Sequence, residues 1–414
     1  MKKIDSMIIT RGFPPVEGGI ETYMFQLANR WSLGDTCVLC DETVKKEKNN
    51  FNFEVKRIKE GNCSYSKAIK TIFPLLFFKS KHIRIAIKFF FLMAINRTFL
   101  IFIIPKLKIF VDEMKLRNEK MVIQCATHTY SGSIGLFGKI IFDEKLVVYI
   151  HGTELLKPKQ RWNFNIFQKF ILNNADLIIS NSNFTKSIAT KMGIPAEKIE
   201  VVNLGADINR FYPVDSKEKI YKKYNIDKQD KLLLSISHLI PRKGNDMVIK
   251  ALPDIIQKIP NIKYMIGGEG RNKEKLIALT DDMNLKLNVI FVGYIHNEEL
   301  NKYLNACDIF IMPNRKEGYD VEGFGIVFLE ANACKKAVIA GNSGGAVDAV
   351  IDQKTGYLVD PLSIEDISEK VIKLLSDDNH RNEIGKIGYE RVITELNWDK
   401  VIKKIERKIE DIYD

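Results

Sequence analysis

Acidic residues are missing from one long cationic stretch. Between Gly61 and Val111 the 414-residue chain carries nine lysines and arginines and no aspartate or glutamate. That stretch also holds the apolar runs TIFPLLFF, FFFLMAI and TFLIFII. No uncharged run there approaches the ~18–20 residues a membrane-spanning helix needs. Lys79, Lys81, Arg84, Lys88 and Arg97 interrupt it. With a spanning helix excluded, the stretch reads either as a pair of basic-faced core helices or as an interfacial segment. In the second reading, apolar side chains enter lipid while the cations meet anionic head groups; this is the expectation adopted. No nucleic-acid-binding motif accompanies the basic run, so nucleic acid is not an expected partner.

Other absences narrow the class further. The N-terminal MKKIDSMIIT has only a very short apolar run before Arg11, so no signal peptide is expected. The six cysteines (37, 40, 63, 125, 307 and 334) sit mostly inside apolar runs and show no disulfide-scaffold spacing. Cys37 and Cys40 form a C-x-x-C within the strand-like DTCVLCDE and read as packing thiols, which fits a reducing cytoplasm. The turn after the first apolar run lacks G-x-G-x-x-G, which argues against a dinucleotide oxidoreductase.

What is present is an alternation of short β-rich runs and helical patterns, the signature of parallel sheets flanked by helices. The first half offers SMIIT, TCVLC, FEVKRI, MVIQCA, LVVYIHG, DLIISNS and IEVVNLG; the second offers KLLLSIS, IKYMIGG, NVIFVGY, IFIMP, AVIAGNS and GYLVD. Two successive sets of βα units predict an α/β protein of two doubly wound, Rossmann-like domains facing a central cleft. The expected boundaries are 1–208 for the first domain, with 61–111 as its membrane-facing segment, and 209–396 for the second. The remaining segment, 397–414, reads as an amphipathic helix. Its apolar face of Trp398, Val401, Ile402, Ile405, Ile409 and Tyr413 must bury against something, and the first domain is the candidate.

Three stretches carry chemistry. In RGFPPVEGGIETY, Gly18 and Gly19 stand between the first strand and the first helix, where backbone N–H groups can approach an anion. In SHLIPRKGND, Arg242 and Lys243 follow the second domain's first strand, at the carboxyl edge where open α/β sheets bind ligands, and two adjacent cations suit a diphosphate. In EGFGIVFLEANAC, Phe324, Gly325, Ile326 and Val327 begin a helix whose N–H groups face a phosphate or sugar oxygen. Glu330 lies one turn further among apolar neighbours and needs a dedicated partner; the two hydroxyls of a ribose diol would supply it. Glu322, in the loop before that helix, would reach a transferred hexose.

With PRKG, IGGEG, EGFGIVFLE and the first-loop GG, the chain resembles family 4 of the retaining glycosyltransferases, which have the GT-B fold. The likeness runs over nearly the whole chain and is most specific from Ser237 to Gly345. The run PNRKEGYDVEGFGIVFLEANAC is most similar to mannosyltransferases acting on phosphatidylinositol mannosides. This resemblance implies GDP-mannose as donor and a lipid-linked or polysaccharide acceptor. It implies that Lys243 binds the donor diphosphate, that Glu330 binds the ribose and that Glu322 faces the donor sugar. It places His151 of YIHGTE at the reacting centre and Gly18 and Gly19 on the phosphates. Gly267, Gly268, Gly293 and Tyr294 would line the base and diphosphate. Where many members carry Gly-Arg, this chain has Ser237-His238; Arg242 or a protonated His238 would supply the missing cation. The weaker histidine, His128, would line the acceptor cleft.

No Asp-x-Asp occurs in the sequence, so no metal and no cofactor is expected, and Arg242, Lys243 and a helix N-terminus would stabilise the departing diphosphate. The protein is expected to be cytoplasmic and peripheral on the inner face of the cell membrane. A non-catalytic sugar-nucleotide-binding subunit of a glycan assembly complex is the alternative.

Overall fold

The structure is a computed structural model that describes residues 3–16, 18–41, 51–58, 82–95, 97–117, 120–156 and 162–414. The chain forms two compact units, 1–202 with 402–414, and 203–401. Both are built on a wholly parallel sheet, as the alternating βα pattern requires.

In the first unit the strands are β1 (Asp5–Ile9), β2 (Thr36–Asp41), β3 (Glu54–Ile58), β4 (Met121–Cys125), β5 (Lys145–Ile150), β6 (Leu177–Ser180) and β7 (Ile199–Val201). Their order is β3-β2-β1-β4-β5-β6-β7, so the winding direction reverses between β1 and β4. The central strands are apolar on both faces, as buried parallel strands are: Met7, Ile8, Val122, Ile123, Val147 and Val148 are all fully buried. The second unit contains β8 (Lys231–Ile236), β9 (Ile262–Gly267), β10 (Val289–Gly293), β11 (Ile309–Met312), β12 (Ala337–Gly341) and β13 (Tyr357–Val359). Here the order is β10-β9-β8-β11-β12-β13, with the reversal between β8 and β11. The loops leaving β8 and β11 therefore diverge from neighbouring strands and open a crevice at the carboxyl edge.

The unit boundaries fall at 202/203 and 401/402 instead of 208/209 and 396/397. The reason is local pairing. Ala206 N–H donates to Leu396 C=O at 2.8 Å, and Trp398 N–H donates to Ala206 C=O at 3.3 Å. These hydrogen bonds tie the two crossing segments to each other within the second unit. Ile402, Ile405 and Ile409 are buried in the first unit. There the Glu406 carboxylate accepts from the Ser32 N–H and hydroxyl, at 2.5 and 3.0 Å, and the Tyr413 hydroxyl donates to Met121 C=O at 2.7 Å.

Of the basic apolar stretch, residues 61–81, including Lys79 and Lys81, lie outside the described residues. The helix Arg97–Lys115 does not meet the interfacial expectation: Ile103, Leu107, Phe110 and Val111 are fully buried in the first core. Even its Lys106 is turned inward, 2.7 Å from Asp41 and over the Tyr130 ring. The helix Ile83–Ile95 behaves differently. Ala86, Phe89 and Leu92 face the core, while Arg84, Ile87, Lys88 and Phe91 lie exposed at helical spacing on the opposite face. No described helix is long and apolar enough to cross a membrane.

Candidate active site

In the second unit, the crevice between β8 and β11 brings three of the expected residues together. Arg242 and Lys243 lie in a short 3-10 turn, Pro241–Lys243, on the loop after β8. Glu322 lies on the loop after β11, and its backbone carbonyl accepts from Gly345 N–H of the loop after β12. Arg242 Nη1 and Lys243 Nζ each donate to Glu322 Oε2 at 2.6 Å. Asp320, which sequence reasoning did not single out, stands 3.2 Å from Arg242 Nε. Its signal was its place two residues before Glu322, just past the turn-forming Gly318.

The cluster is nearly dry. The side chains of Arg242, Lys243 and Glu322 are 14, 12 and 13% exposed, enough for a ligand to reach them but too little for water to screen them. Burial alone would raise the Glu322 carboxyl; Lys243 and Arg242 outweigh it and hold the group down at about 2. Burial draws the Lys243 ammonium below its ordinary value, with Glu322 opposing the shift and Arg242 adding to it. The arrangement is a pair of desolvated cations held by carboxylates, able to re-aim their donors at an anion.

The helix Ile326–Ala333 begins beside this cluster. Gly325 caps it at φ 88°, a conformation that costs a residue with a side chain, and a Cβ there would strike the Phe328 ring. Phe324, Phe328 and Leu329 point into the core, leaving Ile326, Val327 and Glu330 half-buried. Glu330 makes no hydrogen bond or ion pair among the described residues. Its burial raises the carboxyl to about 7, against the pull of Arg210 and with a push from Asp207. Arg210 is itself committed to the Asn297 carbonyl and side chain, at 2.7 and 2.9 Å. Among the described residues, nothing thus satisfies the half-buried carboxylate of EGFGIVFLE.

The remaining second-unit residues line the same edge less tightly. His238 is exposed, and its carbonyl accepts from the Ile240 N–H at 2.9 Å and the Ser237 hydroxyl at 3.3 Å. Gly268 N–H donates to Gly293 C=O at 2.7 Å, joining the ends of β9 and β10, and the Tyr294 ring is half exposed.

In the first unit, Gly18 and Gly19 open the helix Gly19–Arg30 after β1. The Glu21 carboxylate folds back against Gly12 and Gly18, so a side chain at either position would collide with it. His151 follows β5. Its Nε2 lies 2.8 Å from Ala126 C=O, which requires the proton on Nε2 and leaves Nδ1 as the acceptor of the neutral ring. Tyr23, from the helix that Gly19 opens, packs edge-on against the imidazole at 6.1 Å. His128 does not line a cleft: it is fully buried, with the Gln168 amide 2.5 Å from its Nε2. Among the described residues one grouping has metal-ligand proximity, Cys37, Glu54 and Glu113, and both carboxylates are ion-paired, with Lys56 serving both and Arg117 also on Glu54.

Two wholly parallel, doubly wound sheets, with charged loops at the carboxyl edge of the second, define a GT-B protein. A crystal structure of an Anabaena protein in complex with UDP superposes with a TM-score of 0.74 at 17% identity, covering 99% of this chain and 100% of that one. The family profile "Glycosyltransferase Family 4" matches residues 17–210, and "Glycosyl transferases group 1" matches residues 216–391. The chain belongs to family 4 of the glycosyltransferases. It is 35% identical over 229 residues (55% of this chain, 60% of that one) to the GDP-mannose-dependent alpha-(1-6)-phosphatidylinositol monomannoside mannosyltransferase of Mycolicibacterium smegmatis. A GDP-mannose-dependent monoacylated alpha-(1-6)-phosphatidylinositol monomannoside mannosyltransferase of Corynebacterium glutamicum is 39% identical over 199 residues, 47% of this chain and 51% of that one. The chain thus spans between half and three fifths of the length of these curated relatives.

Proposed function

We propose that the protein is a retaining, metal-independent hexosyltransferase that moves mannose from GDP-mannose to a lipid-linked mannoside acceptor. The observation that carries this reading is the convergence of Arg242 and Lys243 on one carboxylate oxygen at the β8/β11 crevice. Two desolvated cations at that edge match the charge of a nucleoside diphosphate. Glu330, without a partner among the described residues and one turn into the next helix, would accept from both hydroxyls of the ribose. The donor assignment follows the printed activities of the mycobacterial and corynebacterial relatives.

The chemistry follows from the charges. As the bond from the anomeric carbon to phosphate breaks, its electron pair passes to the phosphate oxygen. Arg242 and Lys243 meet the growing charge there without having to reorganise from water. The acceptor hydroxyl attacks from the same face as the departing diphosphate, and its proton goes to the leaving phosphate oxygen. No separate protein nucleophile is then required. In the first unit, His151 Nδ1 would accept from a substrate hydroxyl.

Access to a lipid-linked acceptor calls for a membrane surface. The exposed face of the helix Ile83–Ile95 fits one, with Arg84 and Lys88 for anionic head groups and Ile87 and Phe91 for the acyl boundary. The deciding experiment is transfer of radiolabelled mannose from GDP-mannose to lipid extract, set beside UDP-glucose. Label in the lipid phase with GDP-mannose alone supports the reading. Label from UDP-glucose alone overturns the donor, and none from either donor overturns the activity.

A further inference from the structure

Arg242 and Lys243 owe their position to another loop. Three contacts from the segment after β11 fix the turn that carries them. The Pro313 carbonyl lies so close to Gly244 that no Cβ would fit between them. The Arg315 N–H donates to the Arg242 carbonyl at 2.8 Å. The Arg315 guanidinium bridges the Asp246 carboxylate, with Nη1 at 2.9 and 3.2 Å from its two oxygens, and its Nε reaches Glu317 at 3.2 Å. Asp246 sits in the first turn of the helix Asn245–Lys258, directly after Gly244. Arg315 therefore grips the chain on both sides of Lys243, through backbone at 242 and through side chain at 246.

The same loop then reverses and returns. Glu317 and Asp320 exchange two backbone hydrogen bonds of 2.9 Å, with Gly318 in the left-handed region at the tip. This hairpin brings Asp320 and Glu322 back onto the cations that Arg315 has fixed. A single loop thus provides both the carboxylates that meet the cations and the arginine that sets where the cations stand.

We propose that Arg315 is a positioning residue for diphosphate recognition, holding the Arg242–Lys243 turn through Asp246 and the Arg242 carbonyl without touching the ligand. The word diphosphate rests on the proposed function; the bracing itself does not. Stability is a weak explanation for the pair, because an apolar pair of similar volume commonly serves a fold as well as a buried ion pair. Geometry explains it better. A guanidinium holds Asp246 and Glu317 at fixed angles with a planar fork, whereas a lysine ammonium is a point charge on a flexible stem.

The test uses the full chain with inorganic pyrophosphate as probe, alongside donor turnover. Arg315→Gln and Asp246→Asn should each lower the melting temperature, as breaking one side of a buried pair does, yet stay folded at the assay temperature and bind pyrophosphate more weakly there. Each should lower kcat by about 100-fold, the scale of an ~1 Å misplacement, with a smaller change in KM. The double variant should lose no more than the worse single variant, since both act through one bridge. Arg315→Lys should recover only part of the loss. Wild-type pyrophosphate affinity in Arg315→Gln, or losses that add in the double variant, would overturn the proposal. If Arg315→Gln does not fold, the isosteric Asp246→Asn decides on the same readouts. Weakened pyrophosphate binding in a protein that never turns over GDP-mannose would sink the donor assignment and leave the role of Arg315 standing.

Discussion

Lys243 Nζ lies 2.6 Å from Oε2 of Glu322, and Arg242 Nη1 lies 2.6 Å from that same oxygen. One carboxylate oxygen thus occupies both cations that the proposed reaction assigns to the diphosphate. Ligand and Glu322 compete for them, so binding and stability are linked through this oxygen.

Glu322→Gln should therefore destabilise the free protein yet bind nucleoside diphosphate more tightly. Breaking one side of a buried ion pair typically costs about 3–5 kcal/mol, while a freed cation offers the ligand an undivided charge-assisted hydrogen bond. In differential scanning fluorimetry the variant should melt below wild type and show the larger GDP-induced rise. An equal or smaller rise would mean that Glu322 does not compete with the diphosphate.

Acid should expose the same linkage. Glu322 is held at about 2 in the folded protein against an ordinary 4.5. Its stabilising share is complete above the ordinary value and is lost as pH falls from there through about 2. Such a depression corresponds to roughly 3 kcal/mol. Urea titrations between pH 6 and pH 3 should show wild type losing stability faster than Glu322→Gln. Parallel curves would contradict the assignment.

Glu330 predicts the opposite sign. Its carboxyl, raised to about 7, makes the folded state the better proton binder between the ordinary value and 7, so its share of stability falls as pH rises through that window. Only the ionised form accepts from both ribose hydroxyls. Nucleoside affinity should thus strengthen from pH 6 to pH 8 and release a proton, and Glu330→Gln should abolish the trend. Calorimetry in two buffers of different ionisation enthalpy reads the proton directly. A pH-independent affinity in wild type would remove Glu330 from the ribose.

The thirteen strands among the described residues were legible because each is a short β-branched or apolar run bounded by turn residues. The reversals at β1/β4 and β8/β11 depend on pairing across the sheet and could not be read locally. PRKG and EGFGIVFLE were legible as charged loops at strand ends. Their mutual engagement was not, since Lys243 and Glu322 stand far apart in the chain and meet only because β8 and β11 are neighbours. The basic stretch misled for a related reason. A count of cations cannot show that Lys106 turns inward to Asp41, whereas Arg84 and Lys88 face outward.

That distinction sets the membrane prediction. Arg84→Gln with Lys88→Gln should remove the salt-sensitive part of binding to anionic liposomes, at about 1 kcal/mol per cation. Ile87→Ser with Phe91→Ser should remove the part that persists at high salt. Co-sedimentation with anionic and neutral vesicles at two salt concentrations separates the two. A wild-type protein that stays in the supernatant throughout would refute the membrane face.

The central claim is that Arg242 and Lys243 stabilise a departing diphosphate without a metal. The direct measurement is mannosyl transfer from GDP-mannose by wild type and Lys243→Ala, each with excess EDTA and with added manganese. The account predicts full wild-type activity in EDTA, no gain from manganese, and a loss in Lys243→Ala on the order of 2.7–4 kcal/mol of barrier, the usual cost of removing one such donor. Activity that disappears with EDTA and returns with manganese, or a Lys243→Ala protein that turns over like wild type, would contradict it.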